Sequence, residues 1–229
     1  ETLMSFISMF DVLGPNMVGP SSSHTAGACS IALIARKMLG EPVRQVAFTL
    51  YGSFAKTYRG HGTDRALLGG IMGFATDDER IPSAYALAEE QGIAYDFSYN
   101  HTETEIHPNT VDIQLTGIHG HAFSLRGESV GGGKIRISRI NGIAVDFSGD
   151  YNTLIVVHKD RIGMAAHITK CLSEGMVNIA FMRLFREAKG DAAYSIVEFD
   201  GTLSKDVQQK IKEKKDVDQV MVIRIQEGQ

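Results

Sequence analysis

The stretch Thr153-Leu-Ile-Val-Val-His158, followed by Asp160-Arg-Ile-Gly163, decides the fold of the C-terminal part of this sequence. The first run is rich in β-branched residues, which predicts a buried strand, and the second run predicts a turn. Apolar residues then recur at helical spacing to about residue 174, where Gly175 is expected to end a helix. A strand that leads directly into an amphipathic helix indicates a small α+β domain.

Two further strands, a helix and a last strand complete this domain. Strands are predicted at 177–185 and 193–199, and a hairpin turn joins them. Ser204 is expected to cap a charged helix, and residues 220–225 alternate as the last strand. The order βαββαβ predicts a ferredoxin-like sheet over residues 150–229, with both helices on one face.

Residues 1–149 predict a second, mixed α/β domain, so the fold class of the whole chain is α+β. Apolar periodicity predicts helices at 26–39, at 65–74 and in the segment that Pro82 opens. Strands are expected at 43–51, 94–99, 111–116, 122–126, 134–140 and 143–147. We expect the boundary between the two domains at Gly149.

The composition is that of a globular protein. Hydrophobic residues make up 43% of the 229 residues and charged residues 22%, which excludes a disordered chain. A formal net charge of −4 argues against a nucleic-acid binder, which needs a basic surface. We see no run of about 18 apolar residues for a membrane span and no signal peptide, and we expect a cytoplasmic protein. Met4 is a candidate for the natural first residue, with residues 1–3 foreign to it.

Two cysteines, Cys29 and Cys171, are too few for a disulfide framework and suit a reducing compartment. Both fall in segments that read as helix, where a small buried side chain is the ordinary role. A four-iron cluster needs three or four thiolates, so we expect that this chain alone does not hold one.

The strongest chemical signal is the segment from Gly19 to Gly27. Five consecutive polar side chains lead into a helix N-terminus: Ser21, Ser22, Ser23, His24 and Thr25. Backbone N–H groups lack partners at such a position, and the helix dipole favours an anion there. Helix capping alone needs one serine or threonine. The segment therefore predicts a binding site for a carboxylate or a phosphate.

A second signal is Gly60-His61-Gly62-Thr63-Asp64. Glycines on both sides of a histidine let a ligand come close, and Thr63 or Asp64 could cap the helix that follows. A histidine with an ordinary pKa of about 6.5 is the usual general base near neutral pH. Because a lone histidine is also a common packing or surface residue, these residues alone leave the role of His61 open.

Two other segments carry weaker signals. Ser129-Val-Gly-Gly-Gly133 predicts either a loop that approaches a ligand or a plain hairpin turn. His119-Gly-His121 has the composition of a metal site, but a turn is the expected role. No histidine spacing in the chain predicts a metal site.

The C-terminal domain carries candidate effector-binding residues. His158, Asp160 and Gly163 lie on the first strand-to-helix loop, and Asn178 opens the next strand. We expect these groups to meet at one edge of the sheet and to bind the ammonium and carboxylate groups of a free amino acid. The alternative is an ordinary loop with an aspartate cap.

Four motifs occur in order along the chain and together carry a resemblance. They are Gly-Pro-Ser-Ser-Ser-His-Thr at 19–25, Leu-Tyr-Gly-Ser-Phe-Ala at 50–55, Gly-His-Gly-Thr-Asp at 60–64 and Ser-Val-Gly-Gly-Gly at 129–133. As a set they resemble the beta chain of bacterial iron–sulfur-dependent L-serine dehydratase. The N-terminal domain also resembles the allosteric substrate-binding domain of some phosphoglycerate dehydrogenases.

Residues 151–229 resemble an ACT domain. The resemblance rests on His-Lys-Asp-Arg-Ile-Gly at 158–163 and Val-Asn-Ile at 177–179. Ile162 departs from the pattern, since many ACT domains have a proline there that stiffens the turn. We expect a homodimeric contact through this domain, because two small open sheets can pair at their exposed edges.

The resemblance implies the conversion of L-serine to pyruvate and ammonia. It assigns a [4Fe-4S] cluster to a separate alpha subunit, in keeping with the cysteine count of this chain. The resemblance implies that His61 is the base and that Thr63 orients that base or the substrate. It also implies that residues 21–25 bind the carboxylate of serine. Whether residues 19–25 face the active site or a regulatory site stays open.

The alternative function is a non-catalytic module that senses an amino acid such as serine. In that case residues 19–25 and 158–178 would bind serine only to regulate a partner. The Gly-His-Gly-Thr-Asp motif argues against this alternative, because sensing has no need of a base.

Overall fold

A computed structural model describes residues 16–224 of the chain. Within this range the helices are α1 (Gly27–Leu39), α2 (Gly52–His61), α3 (Thr63–Ile71), α4 (Ala84–Glu90), α5 (Met164–Glu174) and α6 (Lys205–Lys212). A π-helical turn, Ser22–Ala26, leads into α1, and a 3-10 turn, Ile81–Ser83, leads into α4. The candidate start at Met4 lies outside the described residues.

Ten strands are found in the same range. They are β1 (Val43–Tyr51), β2 (Ala94–Asn100), β3 (Thr110–Gly117), β4 (Ala122–Gly131), β5 (Lys134–Ile140), β6 (Ile143–Phe147), β7 (Asn152–Lys159), β8 (Ile179–Arg186), β9 (Ala192–Phe199) and β10 (Val217–Ile223). They form two sheets, which confirms the α+β fold class. No helix between residues 16 and 224 is long and apolar enough to cross a membrane.

The first sheet has the strand order β2-β1-β3-β4-β5-β6. β1 pairs in parallel with β2 and antiparallel with β3, so that Leu50 faces Tyr99 on one side and Val111 on the other. A parallel pair needs a crossover connection, and α2, α3 and α4 lie in the chain between β1 and β2. This crossover carries the Gly-His-Gly-Thr-Asp motif at the junction of α2 and α3.

The second sheet has the strand order β10-β7-β9-β8, and each neighbouring pair is antiparallel. One core cluster joins the sheet to α5 and α6, with Leu154, Val156 and Val197 from strands packed against Leu172 and Ile211 from the two helices. Both helices therefore cover the same face of the sheet. This arrangement confirms the predicted ferredoxin-like βαββαβ fold.

The described chain forms two compact units, residues 16–122 with 126–136 and residues 123–125 with 137–224. Most of the hairpin of β5 and β6 belongs to the second unit. Hydrogen bonds at the ends of β6 connect it to β9 of that unit. Asn141 Nδ2 donates to the Tyr194 hydroxyl over 3.2 Å, and the Ser148 hydroxyl donates to Glu198 Oε1 over 3.1 Å. The domain boundary expected at Gly149 stays a prediction.

Helix α2 is absent from the sequence prediction, which expected none between the strand at 43–51 and the helix at 65–74. Only Phe54 and Ala55 of α2 are buried, so the segment has little of the apolar periodicity that reveals a helix. The next helix also starts earlier than predicted, at Thr63. His61 is consequently the last residue of a helix and not part of an open loop.

Candidate active site

The segment that precedes α1 folds into a tight turn. A Cβ atom added to Gly19, whose φ is +135°, would collide with the side chain of Thr25, so the chain closes directly over that residue. Ser21 is the N-cap of the π-helical turn, and its hydroxyl accepts the His24 N–H over 3.1 Å. The N–H groups of Thr25 and Ala26 donate to the Ser21 carbonyl oxygen.

These bonds show which backbone groups the turn itself uses. The N–H groups of His24, Thr25 and Ala26 bond inside the turn, whereas these bonds do not involve the N–H groups of Ser22 and Ser23. The turn also offers hydroxyls, with Ser21 and Ser23 half-buried at its surface. The binding of a carboxylate by these side chains stays a prediction.

Both ring nitrogens of His24 have hydroxyl partners. Nδ1 lies 3.3 Å from the hydroxyl of Ser21 and 3.2 Å from that of Ser23. Nε2 lies 2.8 Å from the hydroxyl of Ser53, at the start of α2. The imidazole of His24 is therefore held by two separate segments of the chain.

His24 and His61 form a pair of imidazole rings. Their centroids are 4.8 Å apart, and the hydroxyl of Thr25 donates to the His61 carbonyl oxygen over 2.9 Å. Burial, and secondarily the nearby His61, lower the pKa of His24 below its usual value. The Nδ1 atom of His61 is buried and has no hydrogen-bond partner. The pair thus combines one fully bonded imidazole with one that keeps an unused nitrogen.

The junction of α2 and α3 brings Thr63 into the interior beside His61. Gly62 takes a left-handed φ of +66° and is both the C-cap of α2 and the N-cap of α3. The prediction that Thr63 or Asp64 holds the cap position is therefore wrong. Thr63 is fully buried with its hydroxyl unpartnered, whereas the Asp64 carboxylate accepts the Arg65 N–H and the Tyr85 hydroxyl.

The serine of the Ser129–Gly133 motif lies against the start of α1. Ser129 is fully buried in β4 with its hydroxyl unpartnered, and a Cβ atom added to Gly27 would overlap that hydroxyl. Gly131, Gly132 and Gly133 all have positive φ values and turn the chain from β4 into β5. The serine thus packs against the start of α1, while the glycines serve the hairpin.

Ser53 is a site residue that sequence reasoning missed. It belongs to the Leu-Tyr-Gly-Ser-Phe-Ala motif, which contributed to the family resemblance but received no chemical role. Gly52 has a φ of +48°, and a Cβ atom there would come within 2.6 Å of the Pro108 carbonyl oxygen. The same oxygen accepts the Ser53 N–H over 2.7 Å. Gly52 thus allows the close approach that places Ser53 against His24.

A partly buried ionic cluster supports the strand that leads into α2. The Arg126 guanidinium donates to Asp112, to Glu103 and to the hydroxyl of Tyr51, the last residue of β1. Burial, with a hydrogen bond to Asp112, raises the pKa of Tyr51 to about 12. Because its polar groups are paired with one another, we assign this cluster to the framework of the first unit.

The cysteines of this chain do not fit an iron–sulfur cluster. Cys29 is buried in α1, its thiol donates to the Phe74 carbonyl oxygen, and burial raises its pKa to about 12. Cys171 lies in α5 of the other unit. Two thiols are fewer than a four-iron cluster requires. Among residues 16–224, no group of three or more histidine, cysteine, aspartate and glutamate residues is arranged to hold a metal ion.

In the C-terminal unit, His158 and Asp160 are already bonded to other protein groups. His158 is fully buried, with Nδ1 donating to the Lys159 carbonyl oxygen and Nε2 2.8 Å from the Ser195 hydroxyl. The Asp160 carboxylate accepts from Arg186, and this bond holds the pKa of Asp160 below its usual value. His158 therefore belongs to the core of the sheet, whereas an effector role for the loop around Asp160 and Gly163 stays a prediction.

Asn178 does not lie beside these residues in the sheet, contrary to expectation. Asn152, at the start of β7, and Ile179, at the start of β8, both pair with Phe199 of β9. Asn178 is thus level with the start of β7, while Asp160 follows the end of β7, eight residues or about 26 Å along the strand from Asn152 at about 3.3 Å per residue. Its amide donates to the Asp200 carboxylate instead. The expectation of one common sheet edge is therefore wrong.

The site combines an imidazole that keeps an unused nitrogen with a hydroxyl-rich turn. Comparison with known proteins identifies the family to which this chain belongs. The family model of the serine dehydratase beta chain matches residues 5–139. The L-serine dehydratase beta chain of Peptoniphilus asaccharolyticus is 40% identical over 91% of this chain and 94% of its own length. The probable L-serine dehydratase beta chain of Bacillus subtilis is 38% identical over 96% of this chain and 99% of its own. The chain belongs to the serine dehydratase beta-chain family.

A solved structure also aligns with part of the chain. The ACT domain from GTP pyrophosphokinase of Chlorobium tepidum covers 31% of this chain and 95% of its own, at 22% identity and a TM-score of 0.26.

Proposed function

We propose that this chain is the beta subunit of an L-serine dehydratase, which converts L-serine to pyruvate and ammonia together with an alpha subunit. Family membership over nearly the whole chain supports the reaction class. The observation that carries the assignment to a site is the buried, unpartnered Nδ1 of His61 beside the hydroxyl-rich turn. An unpaired buried polar atom is rare in proteins and is often explained by a functional role.

The turn before α1 would bind the carboxylate of serine. Ser21 and Ser23 bring hydroxyl donors, and a carboxylate gains short, charge-assisted hydrogen bonds from such groups. The lowered pKa of His24 keeps its ring neutral at neutral pH, where it acts as a hydrogen-bonding group. Ser22 and Thr25 complete the segment, with Thr25 tying it to the end of α2.

His61 would accept the proton from Cα of serine. The electron pair of the broken C–H bond forms the Cα–Cβ double bond. The β-hydroxyl group leaves and takes up one proton to form water, which balances the proton that His61 has accepted. The resulting aminoacrylate takes up water and releases ammonia and pyruvate. Thr63, buried next to His61 with a free hydroxyl, would orient the base or the substrate. A positioned base contributes about 10²- to 10⁴-fold in rate.

The [4Fe-4S] cluster implied by the family resemblance would belong to the alpha subunit, since the two thiols of this chain do not suit it. The active site would then lie where the two subunits meet. Two buried cysteines that remain reduced also fit a cytoplasmic enzyme.

The test is anaerobic co-expression of this chain with an L-serine dehydratase alpha chain, followed by a pyruvate assay with L-serine. We expect activity that needs both chains and falls about 10²- to 10⁴-fold in His61→Ala. His101→Ala is the matched control, because His101 is exposed and outside the site, and it should keep the activity.

Two results would contradict the proposal. Full activity in His61→Ala would show that His61 is not the base. Serine binding by this chain without turnover in any pairing would favour the sensing module, in which the same hydroxyls hold serine only for regulation.

A further inference from the structure

Ser53 is fixed in place by backbone bonds on both sides. Its N–H donates to the Pro108 carbonyl oxygen over 2.7 Å, and its carbonyl oxygen accepts the Thr57 hydroxyl over 2.9 Å. The residue stands in the first turn of α2, where the segment before β3 contacts the helix. Its hydroxyl therefore projects from a rigid base, and 2.8 Å separates it from Nε2 of His24.

The Ser53 bond differs in kind from the other bonds to the His24 ring. Ser21 and Ser23 belong to the same turn as His24 and move with it, whereas Ser53 is 29 residues away in the chain. Ser53 lies in the first turn of α2, and His61 is the last residue of the same helix. The Ser53 hydroxyl thus ties the imidazole of His24 to the helix that ends in His61.

Loss of this bond would leave His24 with partners on Nδ1 alone. Both of those partners belong to the same turn as His24, so neither of their hydrogen bonds holds the ring to α2. The edge contact with Phe54 is a weak restraint on the orientation of the ring relative to that helix. The pairing with His61 at 4.8 Å between centroids depends on that orientation.

We propose that Ser53 is a positioning residue, whose hydroxyl holds the imidazole of His24 in one orientation against His61. Its consequence for catalysis rests on the proposed function, in which His61 is the base. The structural part of the proposal concerns this chain alone.

The structural part is tested on the full chain without its partner. Nuclear Overhauser contacts of the His24 ring protons report the orientation of the ring, assigned with His24→Gln. We expect contacts with the rings of Phe54 and His61 in the unmodified chain, loss of the contacts with His61 in Ser53→Ala, and their recovery in Ser53→Thr. Lys56→Ala is the control, because Lys56 is an exposed residue of the same helix. Contacts of the His24 ring that are unchanged in Ser53→Ala would overturn the proposal.

The catalytic part is tested in the complex of this chain with its alpha subunit. Loss of one hydrogen bond between neutral groups predicts a fall in kcat of about 3- to 10-fold in Ser53→Ala, with KM for serine within about twofold and kcat restored in Ser53→Thr. An unchanged kcat, or a change confined to KM, would overturn the positioning role. If the unmodified complex has no dehydratase activity, the proposed function fails, while the spectra still decide the role of Ser53.

Discussion

His61 lies close enough to His24 to disfavour a proton on the His24 ring. Burial acts in the same direction on His24, and its pKa lies below the usual 6.5. His61 differs because its Nδ1 is buried without a partner, whereas both nitrogens of His24 are bonded to serine hydroxyls. In the proposed function, His24 accordingly serves as a hydrogen-bonding group and His61 as the base.

The lowered pKa of His24 predicts that the chain becomes less stable as the pH falls below about 6.5. In the unfolded chain His24 regains its usual pKa, so just below that pH the unfolded state binds more protons than the folded state. The free energy of unfolding then decreases with falling pH until the folded pKa is passed, and the contribution of His24 is constant above about pH 7.5.

Urea unfolding of the unmodified chain and of His24→Gln between about pH 5 and pH 8 checks this prediction. The unmodified chain should lose more stability on acidification than the variant does. His101→Gln, which replaces an exposed histidine, should behave as the unmodified chain. Parallel curves for the unmodified chain and His24→Gln would show that His24 does not titrate differently on unfolding.

Helices α1 and α3 hold the site together by an unusually close approach. A Cβ atom added to Gly70 in α3 would collide with the Cys29 carbonyl oxygen and lie 2.7 Å from Cβ of Ala32, both in α1. Small residues on both helices therefore set the distance between the element that follows the hydroxyl-rich turn and the element that begins with Thr63. A change in this contact would shift both parts of the site.

Gly70→Ala should destabilise the chain by about 1–3 kcal/mol, because the added methyl group overpacks the contact between α1 and α3. Gly60→Ala is the control within α2, where nothing lies within 4 Å of the added atom, and it should stabilise the chain by about 0.5–1 kcal/mol. Denaturant unfolding of the two variants measures both changes. If Gly70→Ala and Gly60→Ala are equally stable, the methyl group added at residue 70 does not overpack the contact between α1 and α3.

Strand β8 is an edge strand of the second sheet. Among the described residues it has a strand partner on one side only. Phe181 and Leu184 on this strand are 46% and 42% exposed. A strand edge with exposed apolar side chains is a surface on which a second copy can pair, with the symmetry of a two-fold dimer. We therefore keep the expectation of a homodimeric contact through the C-terminal unit as a prediction.

Sedimentation of the chain at micromolar concentrations should give the mass of a dimer. Leu184→Lys should shift the chain toward monomer, because it places a charge on the proposed contact. Ile118→Lys is the matched control, since Ile118 is an exposed apolar residue in a turn of the first unit. A monomeric mass for the unmodified chain, or equal loss of dimer in both variants, would contradict the prediction.

The amino-acid sequence by itself determined the elements with strong periodicity and the order of the chemical motifs. β-Branched runs, helical stripes and the positions of glycines are set by backbone geometry over a few residues, so β7, α5 and the βαββαβ order could be predicted. Helix α2 could not, because only Phe54 and Ala55 of it are buried and it carries little apolar pattern.

Only the tertiary structure decided which residues meet. Ser53 reaches His24, and Ser129 packs against Gly27, through contacts between segments far apart in the chain. Asn178 is placed away from Asp160 because β7 and β8 each pair with β9 and run in the same direction. Contacts of this kind depend on strand register and on helix packing. Both are determined by the burial of whole elements, so the local sequence does not reveal them.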